Sequence, residues 1–157
     1  MSQRVEPIRR SVTVSCAQEH AFLVFTERMD SWWPIETHSR AAIDREGEGV
    51  KTDRIELQGR VGGQVIEHVS DGTSLPWGEI IAWDPPRRMV LAWRPHSRPQ
   101  PPTEVEVTFT PRGGGTLVEL EHRGWERLSE DYSELYGSYA GSWVATLGRF
   151  AAVADAA

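Results

Sequence analysis

Short alternating strands follow one another between about residues 62 and 125, and one long helix follows them. The clearest strand is 103–110, in which Val105, Val107 and Phe109 fall on one face and acidic or polar residues on the other. A period of two indicates a sheet with one buried face and one solvated face. The buried face needs a cover, and the long amphipathic segments lie near the two ends of the chain.

The full pattern predicts an α+β fold with the order strand, helix, short helix, six strands and long helix. Glycine and proline clusters between the strands supply turn chemistry, so we expect an antiparallel meander. Residues 39–51 carry many charges and two glycines and are predicted to form a loop. The predicted strands are 8–15, 52–59, 64–69, 76–83, 88–94, 103–110 and 116–122. The predicted helices run from about residue 18 to 29, over 31–38 and over 130–153.

The sequence predicts a capping box at the start of the first helix and places three glycines inside the last helix. Ser15 and Gln18 have the spacing of a capping box at the start of the first helix. Gly137, Gly141 and Gly148 lie inside the last helix, where each costs about 1 kcal/mol relative to alanine. Close approach of the helix to the sheet would explain them. The apolar stripe of this helix consists of Tyr132, Tyr136, Tyr139, Trp143, Leu147 and Phe150.

Length and composition limit the class of protein. A chain of 157 residues is most simply one domain, with its core over about residues 8–152. The net charge of −6 argues against nucleic-acid binding. No apolar run approaches the ~20 residues of a membrane span, and the N-terminus lacks the apolar segment of a signal peptide. We therefore expect a cytoplasmic protein. A single lysine and no asparagine suggest a GC-rich bacterial genome.

The usual catalytic and metal-binding motifs are missing from the sequence. One cysteine, Cys16, excludes an internal disulfide and a thiolate metal cluster. The five histidines are dispersed without a zinc-binding spacing. Ser138 lies in the middle of a predicted helix rather than in a nucleophile elbow. Gly47 and Gly49 lack a third glycine and a preceding strand, so they do not form a dinucleotide-binding loop. We predict no catalytic residue, no metal and no cofactor.

Seven tryptophans are many for a chain of this size. Aromatic side chains that line a hollow between sheet and helix would form a small-molecule site. The same rings could instead fill the core, because aromatic residues dominate protein interiors. The predicted ligand-binding residues are Trp33, Glu67, Trp77, Trp93, Val107, Phe109, His122, Tyr136, Tyr139 and Trp143.

Ionisable groups on the inner face are the second sign of a site. By alternation, His122 points inward, and so does either Glu67 or His68, but not both. A buried ionisable group must be paired, or its pKa must shift. The group could contact a ligand or donate a proton, or it could be a satisfied structural group.

The order of elements and an ordered series of residues resemble the bacterial activator-of-heat-shock-ATPase-like branch of the START/birch-allergen (SRPBCC) superfamily. The resemblance covers about residues 8–152 and implies a helix-grip fold, a sheet around a C-terminal helix with a hydrophobic cavity between them. The residues that carry it are Trp32-Trp33-Pro34, Thr37-His38-Ser39, Gly62-Gly63, Glu67, Asp71-Gly72, Trp77-Gly78, Trp83-Asp84-Pro85-Pro86, Trp93, Thr103 through Phe109, Gly115-Thr116, Glu121 through Trp125, Gly141 and Trp143.

Three functions are compatible with these observations. The first is a carrier or sensor that binds a small hydrophobic or aromatic molecule. The second is an acid–base enzyme of the polyketide cyclase or aromatase type. The third is a module that activates a heat-shock ATPase, as the family name suggests. The sequence is also compatible with binding to a protein partner or with a homodimer.

Overall fold

The computed structural model describes residues 5–94, 101–128 and 133–156. In these residues the elements follow the predicted order. The strands are β1 (Ile8–Val14), β2 (Thr52–Leu57), β3 (Gln64–Val69), β4 (Ser74–Asp84), β5 (Arg88–Trp93), β6 (Thr103–Arg112) and β7 (Gly115–Arg123). The helices are α1 (Gln18–Glu27), α2 (Met29–Trp32), α3 (Ile35–His38), α4 (Arg40–Asp44) and α5 (Ser133–Asp155), and a 3-10 turn covers Trp125–Arg127.

The strands form one antiparallel sheet in the order β1-β7-β6-β5-β4-β3-β2. Strands β2 to β7 are a meander in which each strand pairs with the next. Strand β1 pairs with β7, so that Ile8 lies opposite His122 and Val14 opposite Thr116. The sheet curves around α5, and the predicted α+β helix-grip architecture is confirmed.

Alternation along the strands separates the two faces of the sheet as predicted. On β6, Val105, Val107 and Phe109 are buried. On β7, Val118 and Leu120 are buried, and the alternating residues Glu119 and Glu121 lie on the outer face. Burial of these apolar side chains against the helices is the main favourable contribution to folding.

Helix α5 covers the inner face with its aromatic stripe. Tyr139, Trp143, Leu147 and Phe150 are all buried, as predicted, and Tyr132 lies outside the described residues. None of the helices in the described part of the chain combines the length and apolar character that a membrane crossing requires.

Strand β1 and helix α5 are joined near both ends of the strand. The Arg10 guanidinium donates to the carbonyl oxygen of Ala140 at 2.9 Å. The backbone N–H of Ser15 donates to the Asp155 carboxylate at 2.8 Å, and the Ser15 hydroxyl reaches the same oxygen at 3.0 Å. The capping box predicted at Ser15 is therefore wrong. Residue Ala17 occupies the N-cap of α1 without a side-chain bond, because Ser15 bonds to Asp155 instead.

The segment predicted as a loop over 39–51 contains the short helix α4. Its start has a capping residue, since the Ser39 hydroxyl accepts a hydrogen bond from the Ala42 N–H at 3.0 Å. Ser39 is also buried. The high charge of the segment concealed a helix that is only five residues long.

The expectation that glycines let α5 approach the sheet is also wrong. Gly137, Gly141 and Gly148 lie on the exposed side of the helix. A Cβ atom at any of these positions would meet nothing within 4 Å. By contrast, a Cβ at Gly78 would lie 2.0 Å from the carbonyl oxygen of Ala92 on the neighbouring strand. Close approach thus requires glycine in the sheet and not in the helix.

We predict that Gly141→Ala raises the free energy of unfolding by up to about 1 kcal/mol, since alanine is the better helix former and the space is open. Gly78→Ala is the matched contrast and should lower it, because the new Cβ collides with backbone. Urea denaturation measures both changes. A lower stability for Gly141→Ala would show that the glycine has a packing role.

Candidate functional site

Nine of the ten predicted site residues are buried, and the tenth, Tyr136, is half-buried. They do not form a single group. Four tryptophans pack together, His122 and Tyr139 form a polar network beside them, and Phe109 belongs to a separate phenylalanine group. Val107 is buried on the inner face of β6.

The four tryptophans come from different elements and meet at one place. Trp33 follows α2, Trp77 is on β4, Trp93 is on β5 and Trp143 is on α5. The ring centroid of Trp33 lies 5.2 Å from that of Trp77, 5.5 Å from that of Trp93 and 5.7 Å from that of Trp143. The rings are tilted or edge-on, the arrangement that the aromatic quadrupole favours. We call these four residues the tryptophan cluster.

Each indole N–H of the tryptophan cluster donates to an acceptor outside the cluster. The bonds run from Trp33 to the His38 carbonyl (3.0 Å), from Trp77 to the Glu67 carboxylate (2.8 Å), from Trp93 to the Tyr139 hydroxyl (3.1 Å) and from Trp143 to Nδ1 of His122 (3.0 Å). A buried indole N–H needs such a partner. The polar edges are therefore held at the periphery, and the apolar rings meet one another in the centre.

His122 is buried on the inner face, as predicted, and its hydrogen bonds define its tautomer. An indole N–H can only donate, so Nδ1 of His122 is the acceptor for Trp143 and carries no hydrogen. Nε2 therefore carries the hydrogen and donates to the hydroxyl of Thr103 at 2.7 Å. The Thr103 hydroxyl in turn donates to the carbonyl oxygen of Trp93 at 3.2 Å. We assign the tautomer from this network.

The environment of His122 makes it a positioning residue rather than a base. Burial lowers the pKa of His122 to about 3, because the charged form loses its solvation. Its one free lone pair already accepts the Trp143 N–H. The neutral ring holds Trp143 on one side and Thr103 on the other, and it has no site left for a substrate proton.

Tyr139 lies one helical turn from Trp143 and accepts the N–H of Trp93. Its ring centroid is 5.0 Å from that of His122 and 5.9 Å from that of Trp125. Burial raises the pKa of Tyr139 above its usual range, since the phenolate would be desolvated. The phenol is therefore a neutral hydroxyl in an aromatic surrounding.

The structure also resolves which ionisable group of β3 faces inward. Glu67 is buried between Val65 and Val69, whereas His68 points to the other face and bonds to Glu56 at 2.9 Å. Four donors converge on the Glu67 carboxylate, an acceptor-only group. They are the backbone N–H groups of Arg40 (2.7 Å) and Ala41 (2.9 Å), the Thr52 hydroxyl (2.7 Å) and the Trp77 indole (2.8 Å). Glu67 thus holds the start of α4 against the sheet.

Phe109 lies in a second aromatic group, near α1 and the end of α5. Its ring centroid is 5.1 Å from that of Phe22 and 5.7 Å from that of Phe25. Phe25 also contacts Trp32 and Phe150, at 4.7 and 5.3 Å. This group fills the interior below α1, so Phe109 is separated from the polar network of His122.

Two residues of the network were missed from the sequence. Thr103 falls on the same face of β6 as Val105, so its alternation already indicated that it points inward. Trp125 follows Gly124, whose φ of 89° is left-handed and turns the chain after β7. Its ring centroid lies 4.3 Å from that of His122, and its N–H donates to the His122 carbonyl at 3.0 Å. No periodic pattern marks that position.

The tryptophan cluster and the network of His122 lie where the sequence predicts a hollow, and an open cavity there stays a prediction. Two depressions on the described surface lie elsewhere. One, of about 500 Å³, is on the outer face of the sheet beside Glu106 and Glu121. The other, of about 400 Å³, lies between α1 and the β4–β5 turn and is bordered by Phe22 and Trp83.

Metal-binding geometry does not occur in the described part of the chain, where no group of three or more His, Cys, Asp or Glu side chains comes together. The inward-facing acceptors are instead engaged by tryptophan, threonine and backbone donors. The arrangement is suited to holding aromatic rings in fixed orientations.

A curved antiparallel sheet that encloses one long helix over an aromatic interior defines a helix-grip protein. Comparison with known families agrees with this class. The model of the family described as Activator of Hsp90 ATPase homolog 1-like protein matches residues 17–155. The chain belongs to this family, a branch of the SRPBCC superfamily.

Several solved structures resemble the chain over nearly its whole length. The anthrahydroquino-gamma-pyrone synthase Txn09, complexed with SUM, is 31% identical, with 98% of this chain and 99% of that chain covered and a TM-score of 0.59. CalC from Micromonospora echinospora, a self-sacrificing resistance protein, is 25% identical, with 96% and 94% covered and a TM-score of 0.69. A search of curated proteins gives no match.

The Aha1 dimer from Colwellia psychrerythraea is also similar in structure, with a TM-score of 0.66 and coverage of 96% of this chain and 97% of that chain. Its sequence identity to this chain is 14%. At that identity the similarity shows the shared fold alone.

We predict that Glu67→Gln lowers the free energy of unfolding by on the order of 3 kcal/mol, because an amide cannot accept from all four buried donors. Glu79→Gln is the matched control, since Glu79 is exposed on the adjacent strand β4. Urea denaturation at neutral pH compares the two variants. Equal effects would contradict the structural role of Glu67.

We also predict a pH dependence from His122. Its folded pKa of about 3 is below the unfolded value of 6.5, so its contribution to stability is complete above pH 6.5 and falls as the pH drops toward 3. Between pH 7.5 and 5 the wild type should lose about 2 kcal/mol through this residue. The loss should be absent in His122→Asn. Urea denaturation at both pH values tests this, and parallel pH profiles for the two proteins would refute it.

Proposed function

We propose that this protein binds a small planar aromatic molecule between the inner face of the sheet and the N-terminal half of α5, as a carrier or sensor. The observation that carries the proposal is the tryptophan cluster with its outward-held N–H groups. The aromatic ligand would lie against the ring faces in the centre, next to His122 and Tyr139.

A ligand that enters the tryptophan cluster must replace contacts between its rings. In the cluster, indole rings contact other indole rings at centroid separations of 5.2 to 6.2 Å. A planar aromatic guest offers the same kind of contact, so ring–ligand contacts can substitute for ring–ring contacts with little net loss. The N–H groups already have acceptors, and a guest between the ring faces leaves those bonds in place. The required change is a wider separation of the rings with their N–H bonds kept, which selects a more open state of the interior.

The relatives support the same ligand class. Txn09 is described as a synthase of an anthrahydroquino-gamma-pyrone, which is a fused, oxygenated aromatic compound. The region aligned at 31% identity covers 98% of this chain, and it therefore includes every element that lines the interior. We infer that the ligand is a fused aromatic molecule of the polyketide type.

A second candidate function is cyclisation of such a compound, as in polyketide cyclases and aromatases. The similarity to the Txn09 synthase favours it. Glu67 and His122 would not serve as its acid and base, because four donors surround Glu67 and both ring nitrogens of His122 are engaged. An enzyme of this design would act by orienting a reactive chain and by hydrogen bonding to its oxygen atoms.

We predict that the protein binds 9-fluorenone, a planar aromatic ketone, in the tryptophan cluster. Quenching of the native tryptophan fluorescence gives the dissociation constant. In ¹⁵N-labelled protein, the indole N–H signals of Trp93 and Trp143 should shift during the titration. The signal of Trp83 should stay unchanged, because Trp83 lies in the groove beside α1.

Two matched substitutions locate the site. Trp93→Phe should weaken binding about five- to tenfold, since it replaces the indole with a smaller ring and removes the donor to Tyr139. Trp83→Phe should leave the affinity unchanged. Absence of binding to the wild type would refute the proposal, and a shift confined to Trp83 would move the site to the α1 groove.

A further inference from the structure

The hydroxyl of Tyr139 has a hydrogen that no acceptor takes in the described part of the chain. The oxygen accepts the Trp93 N–H at 3.1 Å, but the hydroxyl makes no donor bond to the described residues. Other hydroxyls nearby are fully used. Thr103 donates to the Trp93 carbonyl, and Tyr136 donates to the Glu6 carbonyl at 3.0 Å. A buried hydroxyl normally uses its hydrogen, so Tyr139 stands out.

None of the described groups that contact the Tyr139 ring or its hydroxyl can take this hydrogen. Trp93 and Trp143 offer indole N–H groups, which only donate. The acceptor nitrogen of His122 already holds the Trp143 N–H, and its other nitrogen carries a hydrogen. The rings of Trp125 and Trp143 also face Tyr139, with centroids at 5.9 and 6.0 Å from its own, and offer it no hydrogen-bond acceptor atom. An oxygen atom from outside the network would complete the bond.

We propose that Tyr139 is a specificity-determining residue that donates its hydroxyl hydrogen to a carbonyl oxygen of the aromatic ligand. Trp93 is the positioning residue for Tyr139. Its N–H occupies one lone pair of the Tyr139 oxygen, and this directs the hydroxyl hydrogen of Tyr139 away from Trp93. This inference rests on the proposed function and refines it to aromatic ketones and quinones. A ligand that presents an ammonium group in place of the carbonyl does not fit, since an ammonium group only donates hydrogen bonds.

Chemical character supports the assignment. Burial raises the pKa of Tyr139, so the phenol keeps its hydrogen at neutral pH and acts as a donor rather than as an anion. A ketone oxygen placed among aromatic rings without a donor would lose its hydrogen bonds to water. The hydroxyl replaces those bonds, and a hydrocarbon of the same shape has no such need. The site should therefore discriminate between ligands that differ only in a carbonyl group.

The experiment compares 9-fluorenone with fluorene, which has the same rings without the carbonyl oxygen. Indole N–H shifts in ¹⁵N-labelled protein give both dissociation constants. Wild type should bind fluorenone about tenfold more tightly than fluorene, the value of one buried hydrogen bond. Tyr139→Phe should abolish this ratio by weakening fluorenone alone. Trp83→Phe is the control and should keep the ratio, because Trp83 lies in the groove beside α1, away from Tyr139.

The outcomes separate the two proposals. If neither compound binds, the proposed function fails, and this inference fails with it. If both bind wild type equally, or if Tyr139→Phe keeps the ratio, the inference fails while aromatic binding stands. If Tyr139→Phe does not fold, fluorenone labelled with ¹³C at the carbonyl decides the question in wild type. A bound carbonyl signal downfield of its position in apolar solvent supports the donor, and an unshifted signal overturns it.

Discussion

The four buried indole N–H groups of the tryptophan cluster must each find an acceptor, and the interior of this protein is arranged around that requirement. The acceptors are the His38 carbonyl, Glu67, Tyr139 and His122. They come from α3, β3, α5 and β7, and two of the four bonds, those to Tyr139 and His122, join α5 to the sheet. An unmet indole N–H would cost a desolvation penalty without compensation. The tryptophans therefore determine which polar residues the inner face can carry, and where.

The strands were predictable because alternation is a property of neighbouring residues. Val105, Val107 and Phe109 had to share a face, and the same rule left Glu67 and His68 as exclusive alternatives. Choosing between them required knowledge of distant donors, namely the start of α4 and the Trp77 indole. Likewise, Ser15 had the spacing of a helix cap but bonds to Asp155, 140 residues away. Local spacing predicts which group faces inward and does not predict its long-range partner.

The candidate site was predictable as a set of inward-facing residues but not as an arrangement. The stripe on α5 and the alternation on β7 identified Tyr139, Trp143 and His122. Nothing in the sequence separated them from Phe109, which packs with α1 instead. Thr103 lay on the predicted inner face yet was overlooked, because threonine is as common on outer faces. The hydrogen-bond order from Trp143 through His122 to Thr103 depends on atomic distances that a periodicity cannot supply.

The helix that covers the sheet is synthesised after all of its strands. All seven strands precede α5 along the chain, and β1 relies on α5 for bonds from Arg10 and Ser15. On the ribosome the part of the inner face that α5 covers would therefore stay exposed until α5 emerges. Nascent chains with exposed apolar surface associate readily. The interval between the synthesis of β7 and the docking of α5 thus sets how long each new molecule can associate with its neighbours.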